Sequence, residues 1–173
     1  MKRTLSRSIA AAGALLAVAL LAAACGDEAE ALTKEEFIAQ ANEICETTNT
    51  DIQPIFDAIW EDIDDEFEGD EAAGEALLAQ RFDDAMTEAM PFMDDQIAQL
   101  RALHPPEEDE EFLDKLIDDV ESAVHGFAEV AAAAADGDQA AMAEMDDTGE
   151  AELAMDDANE RATAYGLDNC GEE

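Results

Sequence analysis

Apolar residues recur at intervals of three and four along most of this chain, and no β-branched alternating run interrupts them. The cleanest series is Leu113, Leu116, Ile117, Val120, Val124, Phe127 and Val130, a single stripe down a helix of 3.6 residues per turn. Two other stripes are as long. One runs through Ile38, Ala41, Cys45, Thr48, Ile52, Phe56, Ile59 and Ile63, the other through Leu78, Phe82, Met86, Ala89, Met93, Ile97 and Leu100. A fourth, less apolar, joins Met142, Met145, Leu153, Ala158, Ala162 and Tyr165. This period predicts an all-α fold without a sheet.

The residues between the stripes set their limits. Thr33-Lys34-Glu35-Glu36 has the form of a capping box, in which the Thr hydroxyl accepts from the N–H three residues on and Glu36 accepts from the N–H of Thr33. Pro54 predicts a kink or short break near residues 49–53, and Pro91 a bend. Glu68-Gly69-Asp70 reads as a turn, and His104-Pro105-Pro106 as a stop. The five acids Glu107 to Glu111 suit the positive end of the next helix dipole. Asp136-Gly137-Asp138 predicts a tight turn, and Gly149 weakens the middle of the fourth helix. Gly166 stands where a left-handed cap is wanted, with Leu167 able to pack back on the helix end. Four helices with short connections predict an up-down-up-down bundle over residues 33–170, with 171–173 as an acidic tail.

The first 32 residues are of another kind. Lys2, Arg3 and Arg7 make a basic start, and Ile9 to Ala24 is an unbroken run of Ala, Gly, Leu, Ile and Val. A basic region, an apolar region and small residues at its end describe a secretory signal, here residues 1–24. The apolar run falls short of the roughly 20 residues that span a bilayer core. Leu21-Ala22-Ala23-Ala24-Cys25 looks like a bacterial lipobox, whose Cys receives a diacylglycerol before the signal is cut off. The expectation is a lipid on Cys25, a tether over residues 25–32, and a domain held to the outer face of the cell membrane, since two acyl chains anchor stably where one does not.

Charge excludes some partners. The chain carries 46 Asp+Glu against 8 Lys+Arg, a net charge of −38. Removal of the signal would leave only Lys34, Arg81, Arg101, Lys115 and Arg161 as cations. Such a surface repels nucleic acid and anionic headgroups, attracts cations, and repels itself unless ions screen it. A dense carboxylate surface that stays soluble in a salty medium is the plainest use of it.

With Cys25 acylated, Cys45 and Cys170 remain as an even pair outside the cell. In the expected bundle the first helix begins at the end where the fourth finishes, so the two can meet. They would close a loop separating positions 45 and 170, for which chain entropy gives about 4–5 kcal/mol and typical measurements about 2–4 kcal/mol.

A resemblance rests on several short motifs. These are the lipobox, then Leu32-Thr33-Lys34-Glu35-Glu36-Phe37-Ile38-Ala39-Gln40-Ala41-Asn42 with Ile44-Cys45, then Leu103-His104-Pro105-Pro106, and finally Tyr165-Gly166-Leu167 with Cys170-Gly171. Together they resemble the small, uncharacterised lipoproteins of actinobacterial type. The resemblance implies the Cys45–Cys170 pair and a helical bundle, and it implies no activity.

Candidate chemistry is sparse. His104 and His125 lack the Glu-x-x-His and His-Glu-x-x-His contexts of helical metal sites, so they read as a loop residue and a helix-face residue. Met86, Met90 and Met93 share nearly one face but suit core filling better than copper. Asp64, Glu66, Glu68, Gly69 and Glu75 fall at positions 1, 3, 5, 6 and 12 of a calcium-loop template, although glutamate at its third and fifth positions is long. Those four carboxylates are weak metal candidates. Phe56, Trp60 and Phe67 near one end could line a pocket, with core packing as the simpler role. No nucleophile motif or phosphate-cradling glycine loop occurs. The expectation is a non-catalytic envelope binding or interaction module with no cofactor. The alternative is a low-affinity binder of Ca²⁺ or Mg²⁺.

Overall fold

The first helix, α1 (Lys34–Asp57), starts where the capping box predicts. The Thr33 N–H donates to Glu36 Oε2 at 3.0 Å, and the Glu36 N–H donates to Thr33 Oγ1 at 3.3 Å. The Thr33 N–H first, and then the Thr33 hydroxyl, which donates to the same Oε2 at 2.8 Å, hold the Glu36 carboxyl below its ordinary range. The computed structural model describes residues 31–61, 71–145 and 150–171. The predicted signal, Cys25, the tether as far as residue 30, the 68–70 turn, Gly149 and the last two acidic residues lie outside them. After α1 come a 3₁₀ turn (Ala58–Trp60), α2 (Glu71–Ala102), α3 (Glu110–Ala135), α4 (Gln139–Glu144), α5 (Glu150–Tyr165) and a 3₁₀ turn at Asp168–Cys170. There is no strand among the described residues. The fold is all-helical, with α1, α2, α3 and α5 as its four sizeable helices.

Three expectations are corrected. Of the kink or short break expected near residues 49–53, the break does not occur: α1 continues through Pro54. That proline stands in the last turn on the exposed face, so the Thr50 carbonyl that loses its donor faces outward at a helix end. Pro91 is likewise exposed and lies within an uninterrupted α2. The fourth stripe belongs to two helices. Asp138 starts α4 by accepting from the Ala140 N–H at 2.8 Å, and Met145 ends it after six residues. The third correction is one of register. Phe37, not Ile38, is the buried residue of the first turn, at 1% exposure. Leu32 precedes the cap and packs against the same cluster, so Leu32 and Phe37 occupy the two positions of a hydrophobic staple.

Neighbouring helices pack in sequence, α1 on α2, α2 on α3, and α3 on α4 and α5. The main core gathers Phe37, Ala41 and Cys45 from α1, Ile97 and Leu100 from α2, Leu113, Leu116 and Ile117 from α3, and Ala158 and Ala162 from α5. All lie at the end where the chain enters the domain. There the Leu32 N–H donates to the His104 carbonyl at 2.8 Å. A second, smaller cluster has Ala79, Ala134 and Ala141 buried, with Val130, Met142 and Met145 packed against them.

The C-terminal segment closes this core. Gly166, at φ +111°, ends α5, and the Leu167 N–H reaches back to the Ala162 carbonyl at 2.9 Å. Leu167 is buried, as the cap predicts. Cys45 and Cys170 are joined in a disulfide. Around it, Asn42 Nδ2 donates to the Gly166 carbonyl at 3.0 Å, and the Asn169 N–H donates to Asn42 Oδ1 at 3.0 Å. One helical turn beyond the disulfide, Asn49 Nδ2 donates to the Asn169 carbonyl at 2.8 Å. Asn42→Ala strips two partly buried backbone groups of their partners and should cost about 1–3 kcal/mol. Removal of the disulfide by Cys45→Ala with Cys170→Ala should cost about 2–4 kcal/mol. Because both act on the same segment, urea unfolding of the triple variant should show less than the sum. Simple additivity would mean that the amide and the disulfide hold independent parts of the fold.

Candidate functional site

Of the four predicted metal carboxylates, Asp64, Glu66 and Glu68 lie outside the described residues, and Glu75 is exposed on the second turn of α2. No group of three or more His, Cys, Asp or Glu able to hold a metal occurs among the described residues. His104 is an exposed loop residue used through its backbone carbonyl. His125 is exposed on α3, with Nε2 3.3 Å from Asp94 Oδ1. Met86 is buried, and Met90 and Met93 are half-buried on the same helix. Trp60 packs edge-on against Phe82, and Phe82 against Phe127, each with ring centroids 6.3 Å apart. Phe82 therefore engages one edge of the Trp60 ring, which is still 57% exposed and is not a core residue. Phe67 lies outside the described residues.

Each of the five cations beyond residue 24 is committed to the fold. Lys34 Nζ lies 3.8 Å from the centroid of the Tyr165 ring. Arg81 Nη1 donates to the carbonyls of Ile59 and Glu61 at 2.9 and 2.6 Å, where the chain leaves α1. Arg101 joins α2 to α3 through Asp118 and Glu121 at 2.6 and 2.7 Å. Lys115 and Arg161 converge on Asp119 Oδ2 at 2.6 and 2.8 Å, and Arg161 also meets Asp157 at 3.0 Å. Lys115 first, then Arg161, hold the Asp119 carboxyl below its usual range. The stability this carries is present above the ordinary Asp pKa and is lost as pH falls through the lowered one.

Beyond Arg161, α3 meets α4 through Ala134 and Ala141. An open groove of about 750 Å³ follows, floored by Ala123, Gly126, Val130 and Ala133 of α3, Ala141 of α4 and Ala154 of α5. Asp119, Glu129, Glu144 and Asp157 stand along it. Sequence reasoning missed this groove. Its trace was the spacing of small residues at 123, 126, 130 and 133, hidden within a stripe whose larger members marked the core. A smaller hollow of about 470 Å³ lies between the end of α1 and α2, against Pro54, Ile55 and the exposed Phe92.

At the opposite end Tyr165 is the hub of a different cluster. Its hydroxyl donates to Asp109 Oδ2 at 2.6 Å, Phe112 stacks on its ring at 5.5 Å, and Phe37 meets it edge-on at 6.4 Å. Asp109 precedes α3 without capping it by its own side chain, and serves Tyr165 instead. Burial first, then the bond to Asp109, push the phenol well above its ordinary value of 10.

Comparison with family models, with curated proteins and with solved structures finds no match for this chain. No described helix is long and apolar enough to cross a membrane. Tyr165 is the single tyrosine of the sequence, so absorbance at 295 nm reports it alone. An alkaline titration should give a midpoint well above 10, and Asp109→Asn should move it back toward 10. The raised pKa means that Tyr165 stabilises the fold fully below pH ~10 and progressively less as pH rises through the shifted value. An unshifted midpoint in the wild-type chain would show that the hydroxyl is in water rather than on Asp109.

Proposed function

We propose that this chain is an exported lipoprotein, acylated at Cys25, whose domain acts outside the cytoplasm as a binding module rather than as an enzyme. The signal and lipobox pattern of residues 1–25 supports the location, and so does the Cys45–Cys170 disulfide, a bond that persists in oxidising compartments. The groove along α3 is the observation that carries the binding reading, because it is an open concave surface of about 750 Å³ lined by small apolar side chains and carboxylates, away from the main core beside the disulfide. Among the described residues the acids with displaced titration, the carboxyls of Glu36 and Asp119 and the phenol of Tyr165, all serve structure: a helix cap, a helix–helix tie and a core clasp. In the finer reading of the architecture, α1, α2, α3 and α5 run up-down-up-down, with α4 as an inserted turn. Leu32 enters beside His104, seven residues after Cys25, so that end of the domain would face the membrane and the groove would point away from it.

Expression of the full chain in a bacterium with labelled palmitate tests the anchor. The wild-type chain should carry the label and sediment with membranes, while Cys25→Ser should do neither. A variant that stays membrane-bound and labelled would sink the reading.

A second reading, low-affinity binding of Ca²⁺ or Mg²⁺, draws on the commitment of all five cations to internal partners, which leaves most carboxylates facing solvent. Thermal melting separates it from plain screening. If the midpoint follows ionic strength alone, whether set by NaCl or CaCl₂, the cation reading falls. A further, saturating rise with calcium would be ligand linkage, and the segment from Asp64 to Glu75 would then be the place to mutate.

A further inference from the structure

We infer that the groove between α3 and α4–α5 is a docking site for a cationic amphipathic helix of a partner protein; the inference rests on the binding-module reading above. Gly126 is the sharpest indication. It lies in the interior of α3, where glycine costs roughly 0.5–1 kcal/mol relative to alanine. Among the described residues a Cβ built on it meets no atom within 4 Å, so no described neighbour needs the space it leaves. A residue without a side chain on a helix surface that its own fold leaves open suits close approach by another backbone. Ala123, Val130 and Ala133 extend the same floor at intervals of three and four, the spacing of one helix face.

The chemistry of the walls selects the occupant. The floor is helix backbone and methyl groups, which offer an incoming chain no hydrogen bonds. An extended peptide would leave its own N–H and C=O groups unmatched there, whereas a helix satisfies them internally. Glu129 and Glu144 stand along the groove, while Asp119 and Asp157 beside them are already met by Arg161. The net charge of −38 adds a long-range field of the same sign. That field steers cations inward and rejects acidic or phosphorylated partners. The complementary surface is a helix with Ala, Gly or Leu on one stripe and Lys or Arg on both flanks.

The test uses the full-length acylated chain in nonionic detergent at 150 mM NaCl. The probe is a fluorescent 18-residue peptide of Ala, Leu and Lys whose order makes one apolar stripe flanked by lysines. Its control has the same residues in an order that scatters the stripe. The striped peptide should bind at least tenfold more tightly than the control and gain helical circular dichroism on binding. Gly126→Leu fills the floor and should weaken binding at least tenfold with little change in Tm. Glu129→Gln with Glu144→Gln should weaken it and flatten its salt dependence. Equal binding of the two peptides, or undiminished binding by Gly126→Leu, would reduce the effect to generic attraction by a polyanion and overturn the proposal. Displacement of the striped peptide by spermine at matched charge would overturn it in favour of a small polycation site. A large fall in Tm for unliganded Gly126→Leu would show that this chain already fills the space, and would also overturn it. Acylation of Cys25 is read separately, so failure here with the lipid present removes the groove and leaves the anchor standing.

Discussion

A chain with 46 carboxylates and eight cations pushes against its own folding, and the contact between α1 and the C-terminal turn opposes that push. The contact joins segments 120 or more positions apart through one disulfide, the amides of Asn42, Asn49 and Asn169, and the buried Leu167. Exposed ion pairs supply little of what is needed, since each contributes about 0–1 kcal/mol and weakens with salt. The larger apolar side chains lie beside the same contact, from Phe37 across to Leu113. Burial, amide bonding and covalent closure thus act at one end of the domain. Without that end the remainder would keep Ile59, Met86 and the Phe82 and Phe127 rings but lose its covalent closure, with a surface of like charge to hold together.

This distribution separates two tasks along the helix axes. The end where the chain enters is built of Phe, Tyr, Leu and Ile and has its polar groups matched, Tyr165 on Asp109 included. The far part of α3 turns toward α4 and α5 with alanine and glycine, and gains little from doing so. Regions with few apolar contacts open at low free energy, and binding surfaces are drawn from them. A groove over Gly126 can therefore change its occupancy without disturbing the core beside Cys45.

Much of the architecture was legible because helices announce themselves by period and by punctuation. The box at Thr33–Glu36, the Gly137 and Gly166 turns and the stripe of α3 each follow from local chemistry that tertiary contacts did not override. Pro54 misled because the sequence does not say that it stands on an exposed face one turn before the helix ends. Phe37 was missed because Ile38 also fits a stripe when the entry angle of the chain is unknown; the staple with Leu32 sets that angle. Asn42, Asn49 and Asn169 were invisible as a set, since an amide shows its worth only when the carbonyl it reaches is known. The groove was illegible for the same reason. A small residue marks tight packing or empty space equally well, and only the neighbours decide.

The disulfide has a topological consequence for a domain exposed to proteases. It makes a covalent ring of everything from Cys45 to Cys170, leaving α2, α3, α4 and α5 as arcs within it. The turn at Gly137 is exposed, and a protease would have to break its N–H bonds back to the end of α3. One cut there opens the ring without releasing a fragment, and the molecule keeps its mass until a reductant arrives. A second cut is needed before any helix can leave. Damage to such a surface is counted in pairs of nicks, which gives the domain a lifetime longer than that of its most exposed bond.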